Sequence, residues 1–557
     1  MLAHFCRGIP ANTSAIPERH GPRQMRKLHT FKSPIGNCAA TTAFALSLFG
    51  LFLSAGPAYA QFGAAASQSQ QGAQATPLPL SGRSGASGGV VATQTAIPGT
   101  TTSVNTLNPT VQVSGAFAGS ASSTAARPFS GKLSLQEAVD RAIEYNLGAV
   151  GMNQALRQAH GQTRVARSAL LPNLNGDFSE TVETVNLAAL GVRFNVPTVP
   201  GGSAFSIPTL VGPFNYMDLR ARLTQSVADF TARNNYRAAQ ESLRAAQLSA
   251  QDARDLVVLA TGGAYLQVIA AKARVQSAQA QLETANAVYQ QTRMQLQFGK
   301  APEIDVNRSQ VEVLTQQQRL VSLQNDVAKQ KINLARLTGL PPNDQYDISD
   351  EVPFAAAPPL TIEDAVKQAF DQRADLKAAE VQVSAAERAL TAARDERYPS
   401  LSVSADYGAI GTNPGQARGT FTAVATLTVP IWRGGRTEGD IEEADAVLRQ
   451  RQAELEDQQS QVESDVRNAY LDLQAAASQV QVAVQNLDVT RQTLAQERQR
   501  FEAGVSNDVA VTQAQESVAS AELDYINSVF AHNLAKLSLA RAVGNAPQSL
   551  RQFLKFP

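Results

Sequence analysis

The sequence predicts a mainly α-helical protein with a small membrane β part, built as an internally duplicated unit of long helices in which each copy carries two amphipathic strands. Three observations lead there. Two stretches, about 230–298 and 435–503, run without a proline. Short motifs recur in the same order at a nearly constant spacing. Four segments alternate apolar and polar residues with the period of a strand.

Composition agrees. The 557 residues hold 48 Lys plus Arg against 48 Asp plus Glu, and aromatics make up 6%. Such a chain suits long helices better than one large aromatic core. Balanced charge, with basic residues interspersed among acidic ones, gives no electrostatic reason to bind nucleic acid.

The amino terminus reads as an export signal. A basic leader (Arg19, Arg23, Arg26, Lys27, Lys32) precedes an apolar run from Ala39 to Ala55 and the small-residue ending Ala58-Tyr59-Ala60. Cleavage is expected between Ala60 and Gln61, giving a signal peptide over 1–60, with Met25 as an alternative start and a membrane anchor as the alternative reading. Cys6 and Cys38 lie in that leader, so the processed chain is expected to lack thiols, disulfides, cysteine metal sites and a lipid anchor. After the leader no apolar run is expected to reach the roughly 20 residues of a membrane helix. A bilayer-spanning part would then have to be made of strands.

Residues 61–130 are rich in Gln, Ser, Gly, Ala and Thr and are expected to form a low-complexity disordered tail. Two repeats follow, at 131–340 and 360–545, with a linker at 341–359 and a short tail at 546–557. Leu133-Ser134-Leu135-Gln136-Glu137-Ala138-Val139 is echoed by Leu360-Thr361-Ile362-Glu363-Asp364-Ala365-Val366, and Leu171-Pro172 by Tyr398-Pro399, at an offset of 227 (399 − 172). The Ala335-Arg336 ending with Gly339 is echoed by Ala540-Arg541 with Gly544, at an offset of 205 (544 − 339). The first copy has the longer loop, which shortens the offset.

Each copy reads as helix, two strands, long helix, turn, helix. Ser134 and Thr361 stand three residues before Glu137 and Asp364, the pattern of a helix start. These helices are expected to continue to about 170 and 397, where Pro172 and Pro399 stop them. Strands are expected at about 174–185, 214–227, 400–409 and 419–431. Phe421, Ala423, Ala425, Leu427, Val429 and Ile431 alternate with mostly threonine. Leu219, Ala221 and Leu223 alternate with Asp218, Arg220 and Arg222. These lengths match the 9–11 residues of a membrane strand, although a small soluble sheet on helices has the same period. Four strands cannot close a barrel with a lumen, since about eight are needed merely to make an interior filled by side chains, whereas a trimer supplies about twelve. Trp432, after the last strand, is placed as an interfacial anchor or a packed core residue. Residues 186–213 and 411–419 read as connecting loops.

The long helices, at 1.5 Å per residue, extend roughly 100 Å. Ala253, Leu256, Ala260, Ala264, Val268 and Ala271 recur at three- and four-residue steps and predict a narrow packing seam. Little suggests chemistry: beyond the leader only His160 and His532 remain as histidines, and there is no phosphate-cradling loop or metal-ligand cluster. No catalytic, cofactor or metal site is expected.

With these patterns, 131–545 resembles the TolC-like outer membrane efflux proteins. The resemblance rests on the duplicated helix openings, Leu171-Pro172-Asn173-Leu174 with Tyr398-Pro399-Ser400-Leu401, the run from Leu427 through Trp432 to Arg436, the glycine turns and the Ala-Arg-x-x-Gly endings. It implies a homotrimer whose four strands per subunit close a 12-stranded barrel in outer-membrane lipid. A long helical barrel would then cross the periplasm to a periplasmic adaptor and an inner-membrane transporter. It further implies a passive exit duct, for efflux or type I secretion, gated at the helix tips. The tips map onto Gly299, Lys300, Glu303 and Asp305 in the first repeat and Gly504, Val505, Asp508, Ala510 and Gln513 in the second. Ala510 and Gln513 stand where some members carry acids, which departs from strong cation block. Asp508 is either a pore-mouth carboxylate or an ordinary helix-start acid. A periplasmic coiled-coil adaptor or structural protein is the competing reading.

Overall fold

A computed structural model describes residues 90–97, 106–121, 129, 131–189, 191, 209–341, 345–350, 354–356, 359–544 and 546. The chain divides into two units. One comprises residues 1–70 and 187–205, whose described part is a turn in which Gly191 N donates to Ala188 O. The other comprises residues 71–186 and 206–557 and holds every element below. The signal-peptide expectation, with Ala60 and Gln61, lies outside the described residues, as do 547–557.

Both repeats open with a capped helix. Ser134 Oγ accepts from Glu137 N, and Thr361 Oγ1 accepts from Asp364 N, both at 3.2 Å. Neither helix runs on to its proline unbroken. In the first repeat α1 (Leu135–Tyr145) gives way at Asn146 to α2 (Leu147–Ser168). The two breaks are related by the same offset of 227, because in the second repeat Arg373 separates two helices of matching length, Ile362–Gln372 and Ala374–Asp395. Asn146 has ψ 131° and Arg373 ψ 123°, extended values that swing the chain out of the helix without any proline. Side chains repair the break. Asn146 Oδ1 accepts from Gly148 N at 2.9 Å, and Asp375 Oδ1 accepts from Leu376 N at 3.0 Å.

The long helices are α3 (Phe230–Gln297, 68 residues) and its second-repeat equivalent Arg436–Glu502 (67 residues), each roughly 100 Å long. Helix α4 (Glu303–Thr338) follows α3; completing the second repeat, α5 is Ile362–Gln372, α6 Ala374–Asp395, α7 Arg436–Glu502 and α8 Asp508–Val543. Helices α4 and α8 both end on a left-handed glycine, Gly339 at φ 72° and Gly544 at φ 94°. A side chain at Gly339 would meet Tyr145 and one at Gly544 would meet the backbone of Arg373, so the end of each repeat seats on that repeat's own helix break. Along α3 the seam residues Ala253, Ala260, Val268 and Ala271 are buried, with Leu256 and Ala264 half-buried beside them. Contrary to the expectation that no run approaches membrane length, α3 contains an 18-residue window apolar enough to cross a bilayer. That window is 67% buried against neighbouring elements.

Two further expectations are corrected. Part of the supposed disordered tail is folded: β1 (Val90–Ile97) and β2 (Thr106–Val113) form an antiparallel hairpin, followed by a short 3-10 turn at Gly115–Ala118. Its few apolar residues are well placed, with Val90 and Phe117 buried and Val111 seated over Gly263, where a Cβ would stand 2.4 Å from Val111 Cγ2. Phe117 packs on Gly148, and Asn146 Nδ2 donates to Phe117 O at 2.8 Å. Average composition hides so sparse a pattern. The supposed linker 341–359 contains β6 (Tyr346–Ile348), which pairs in parallel with β3 (Gly131–Leu133). Asp350 Oδ2 accepts from Leu135 N at 2.7 Å and from the buried Tyr265 hydroxyl at 2.9 Å, tying this short sheet to α1 and α3.

Candidate functional site

The four remaining strands form one antiparallel sheet in the order β4 (Asn173–Asn186), β5 (Leu210–Ala228), β7 (Ser400–Gly411), β8 (Arg418–Thr428). The central β5–β7 pairing joins one repeat to the other. Residues directly opposite each other in an antiparallel pair share a face. The register aligns Leu174 with Leu223, Phe178 with Leu219, Ala221 with Tyr407, and Tyr407 with Phe421. Leu401 and Leu427 extend that face. It is apolar and open: Leu174, Phe178, Leu219, Tyr407, Phe421 and Leu427 are each at least 59% exposed.

The opposite face carries Asp177, Asp218, Arg220, Arg222, Ser404, Asp406 and Thr422. Arg220 pairs with Asp218 at 2.9 Å and with Asp406 at 2.5 Å, and Arg222 stands 4.0 Å from Asp177. Gly408 lies opposite Arg220, and a Cβ there would meet Leu219 O at 2.5 Å, so the two repeats approach closely at this point. Among the described residues β4 and β8 are paired on one side only, leaving two open edges. The sequence displayed the alternation of these residues but not the cross-repeat ion pair.

Trp432 lies beyond β8 in the segment leading to α7 and is 86% exposed, next to Ile431 at 95%. Gly434 and Gly435, at φ 64° and 83°, then turn the chain into α7. The strand ends are braced by Arg433–Glu396 at 3.1 Å and by an edge-on contact of Phe230 with Tyr398.

The turn residues fall into two separate hairpins. In the first, Gly299 at φ 68° closes the turn and Lys300 N donates to Gln295 O at 2.8 Å. Glu303 and Asp305 occupy the first turn of α4, where the helix dipole favours acids, and Asp305 faces Arg308 at 3.7 Å. In the second, Gly504 at φ 72° closes the turn and Val505 N donates to Arg500 O at 2.9 Å. Asn507 Oδ1 accepts from Ala510 N, and Ser506 Oγ donates to Glu497 at 2.8 Å. Asp508 opens α8, its side chain outside the described residues; Ala510 is half-buried and Gln513 exposed. Phe298, Ile304 and Val505 project as exposed apolar groups.

Sequence reading missed a buried ionic cluster that joins α3, α6, α7 and α8. Arg373 grips Asp375 at 2.6 Å and Asp465 at 3.0 Å, Gln458 donates to Asp375 at 2.9 Å, and Arg541 pairs with Asp252. Asp255 lies beside them, its carboxyl pushed up to about 7 by burial, with the Arg541 charge opposing that shift and Asp252 and Asp375 adding to it. No local spacing marks such a cluster, because its members come from four helices. Of the two histidines, His160 is exposed, whereas His532 is buried under the Phe354 ring and pushed down to about 4 by desolvation and by Lys536.

The chain matches the family model for "Outer membrane efflux protein" over residues 150–340 and 365–545, well over half its length. It is 25% identical over 207 residues to the pyoverdine export outer membrane protein OpmQ of Pseudomonas putida, covering 37% of this chain and 44% of that protein. With OpmQ of Pseudomonas aeruginosa it is 26% identical over 294 residues, covering 51% and 58%. The chain thus spans about half the length of the curated relatives it matches. In fold it is similar to the Campylobacter jejuni CmeC outer membrane channel, at a TM-score of 0.62 and 17% identity over 74% of this chain and 86% of that one. Two copies of one helical unit, fused through an amphipathic sheet and matched in both halves, make this chain a member of the TolC-like outer membrane efflux protein family, a family of outer-membrane export channels and not of enzymes.

Proposed function

We propose that the chain is one subunit of a homotrimeric exit duct, in which three four-stranded sheets join edge to edge into a 12-stranded barrel. The leader through Ala60 directs export and is removed before Gln61. One observation carries the reading: the sheet has an exposed apolar face, an opposite polar face that water reaches and, among the described residues, two unpaired edges. A soluble sheet with both faces bare would lose the burial that stabilises it, whereas lipid outside and water inside suit both faces and lateral closure satisfies both edges. This favours the duct over a coiled-coil adaptor, which has no use for such a sheet. Trp432 then anchors at the membrane interface. The exposed turns around Gly299, Lys300, Gly504 and Val505 meet a periplasmic adaptor, which couples the duct to an inner-membrane transporter. The helix starts at Glu303, Asp305, Asp508, Ala510 and Gln513 line the gate.

The full chain would be purified from outer membranes, its mass measured by light scattering corrected for detergent, and its conductance recorded in planar bilayers. A trimer with discrete conductance that rises in Asp305→Ala or Asp508→Ala is the expected result. A soluble monomer without conductance overturns the duct. A membrane trimer that stays silent in both variants removes the gate from these turns.

A further inference from the structure

The polar face of the sheet is ordered by charge. Read across the strands, one row places Asp218 beside Arg418 through Ile410, the next Asp177 opposite Arg220, and the third Arg222 opposite Asp406. Each of three consecutive rows therefore holds one aspartate and one arginine. The next rows toward the helices hold none, being built from residues such as Thr224, Ser404 and Thr426. Rows on one face lie two residues apart, about 6.7 Å, so the charged belt spans about 13 Å along the strands.

The pairing is interlaced between rows. Arg220 reaches past its own row to Asp406 and to Asp218, and Arg222 leans toward Asp177. The Arg220, Asp218 and Asp406 side chains are about one-fifth exposed, so water still reaches them. A belt of this kind offers donors and acceptors to any passing group while its net charge is zero, and its field fades within a Debye length, about 8 Å in physiological salt.

Resting on the trimeric barrel reading, we propose that this belt makes passage across its three rows indifferent to the sign of the solute's charge, with Asp218 and Asp406 countering the charge of Arg220. The barrel accordingly selects neither acidic nor basic cargo. Removing one aspartate leaves an arginine uncompensated in every subunit and turns the belt toward anions; removing Arg220 turns it toward cations.

The only native cysteines, Cys6 and Cys38, lie far from the sheet in sequence, so a reporter thiol is read without interference. Thr426→Cys places one on the polar face beyond the belt on its helix side, two rows past Asp406, and Ala425→Cys places its neighbour on the apolar face. Intact cells would be treated from outside with anionic sulfonatoethyl or cationic trimethylammonioethyl methanethiosulfonate, each rate normalised to that of a free thiol. Expected at position 426 are normalised rates within about twofold of each other, a shift of about threefold or more toward the anion in Asp406→Asn, and the opposite shift in Arg220→Gln. Asp406→Glu should restore the balance, which a merely structural staple would not require. A strong preference for one reagent before any charge is altered, or a ratio unmoved by Asp406→Asn, overturns the belt and leaves the barrel standing. Labelling at 425 with none at 426 overturns the barrel reading and the belt with it.

Discussion

Arg373 Nη1 stands 3.0 Å from Asp465 Oδ2, joining the break between α5 and α6 to the long helix α7, while the same guanidinium holds Asp375 at 2.6 Å. Its counterpart Asn146 fills the equivalent break in the first repeat with neutral amide bonds to Phe117 and Gly148. One architectural position is thus secured by an ionic network in one copy and by an amino-terminal segment in the other.

That difference predicts unequal sensitivity. Arg373→Ala takes from Asp375, whose side chain is 15% exposed, its nearest partner at 2.6 Å and leaves it Arg541 at 3.9 Å, and should cost about 3–5 kcal/mol. Asn146→Ala removes a cap and one further hydrogen bond and should cost about 1–2 kcal/mol. Thermal unfolding of the two variants in the same detergent checks the order.

Asp255 predicts a pH dependence of opposite sign to that of an ordinary paired carboxylate. Its folded pKa is raised from 3.8 to about 7, so between those values the folded state binds the proton that the unfolded state has released. Stability from this group is complete below about pH 4, falls as pH rises toward 7, and stays reduced above it. Asp255→Asn should therefore raise the melting temperature at pH 8 and leave it nearly unchanged at pH 4. Equal effects at both values would place the proton elsewhere.

The amino-terminal hairpin predicts a rescue. Gly263→Ala puts a methyl group 2.4 Å from Val111 Cγ2 and should loosen the hairpin by about 1–3 kcal/mol, read as faster proteolysis between β1 and β2. Adding Val111→Ala makes room for that methyl and should recover much of the protection.

The two faces of β8 should respond differently to the same charge. Ala423→Arg, on the apolar face at the middle of β8, should destabilise the assembled protein by about 2–4 kcal/mol. Thr422→Arg, on the polar face one residue away, should be tolerated. Recovery of heat-resistant oligomer from outer membranes distinguishes them.

Much of this was legible in the chain. The capping pairs at Ser134 and Thr361, the stops at Pro172 and Pro399, the left-handed turns at Gly299 and Gly504 and the alternation from Phe421 to Ile431, of which the strand keeps the part up to Thr428, all depend on neighbours within a few residues. Such signals survive in sequence because backbone geometry repeats every two or 3.6 residues. The duplication was equally plain, since it is written as motif order.

Tertiary structure alone decided the rest. Arg220 and Asp406 are 186 residues apart and meet only because the two repeats dock with β5 against β7 in one register. A slip of one residue would send Asp406 to the apolar face. Asp255 becomes a weak acid only when α3, α6, α7 and α8 close around it, and Phe117 becomes core only because Gly148 leaves room for its ring. Local periodicity fixes which face each side chain takes, but ion pairing and desolvation depend on distances between segments, and only packing sets those distances.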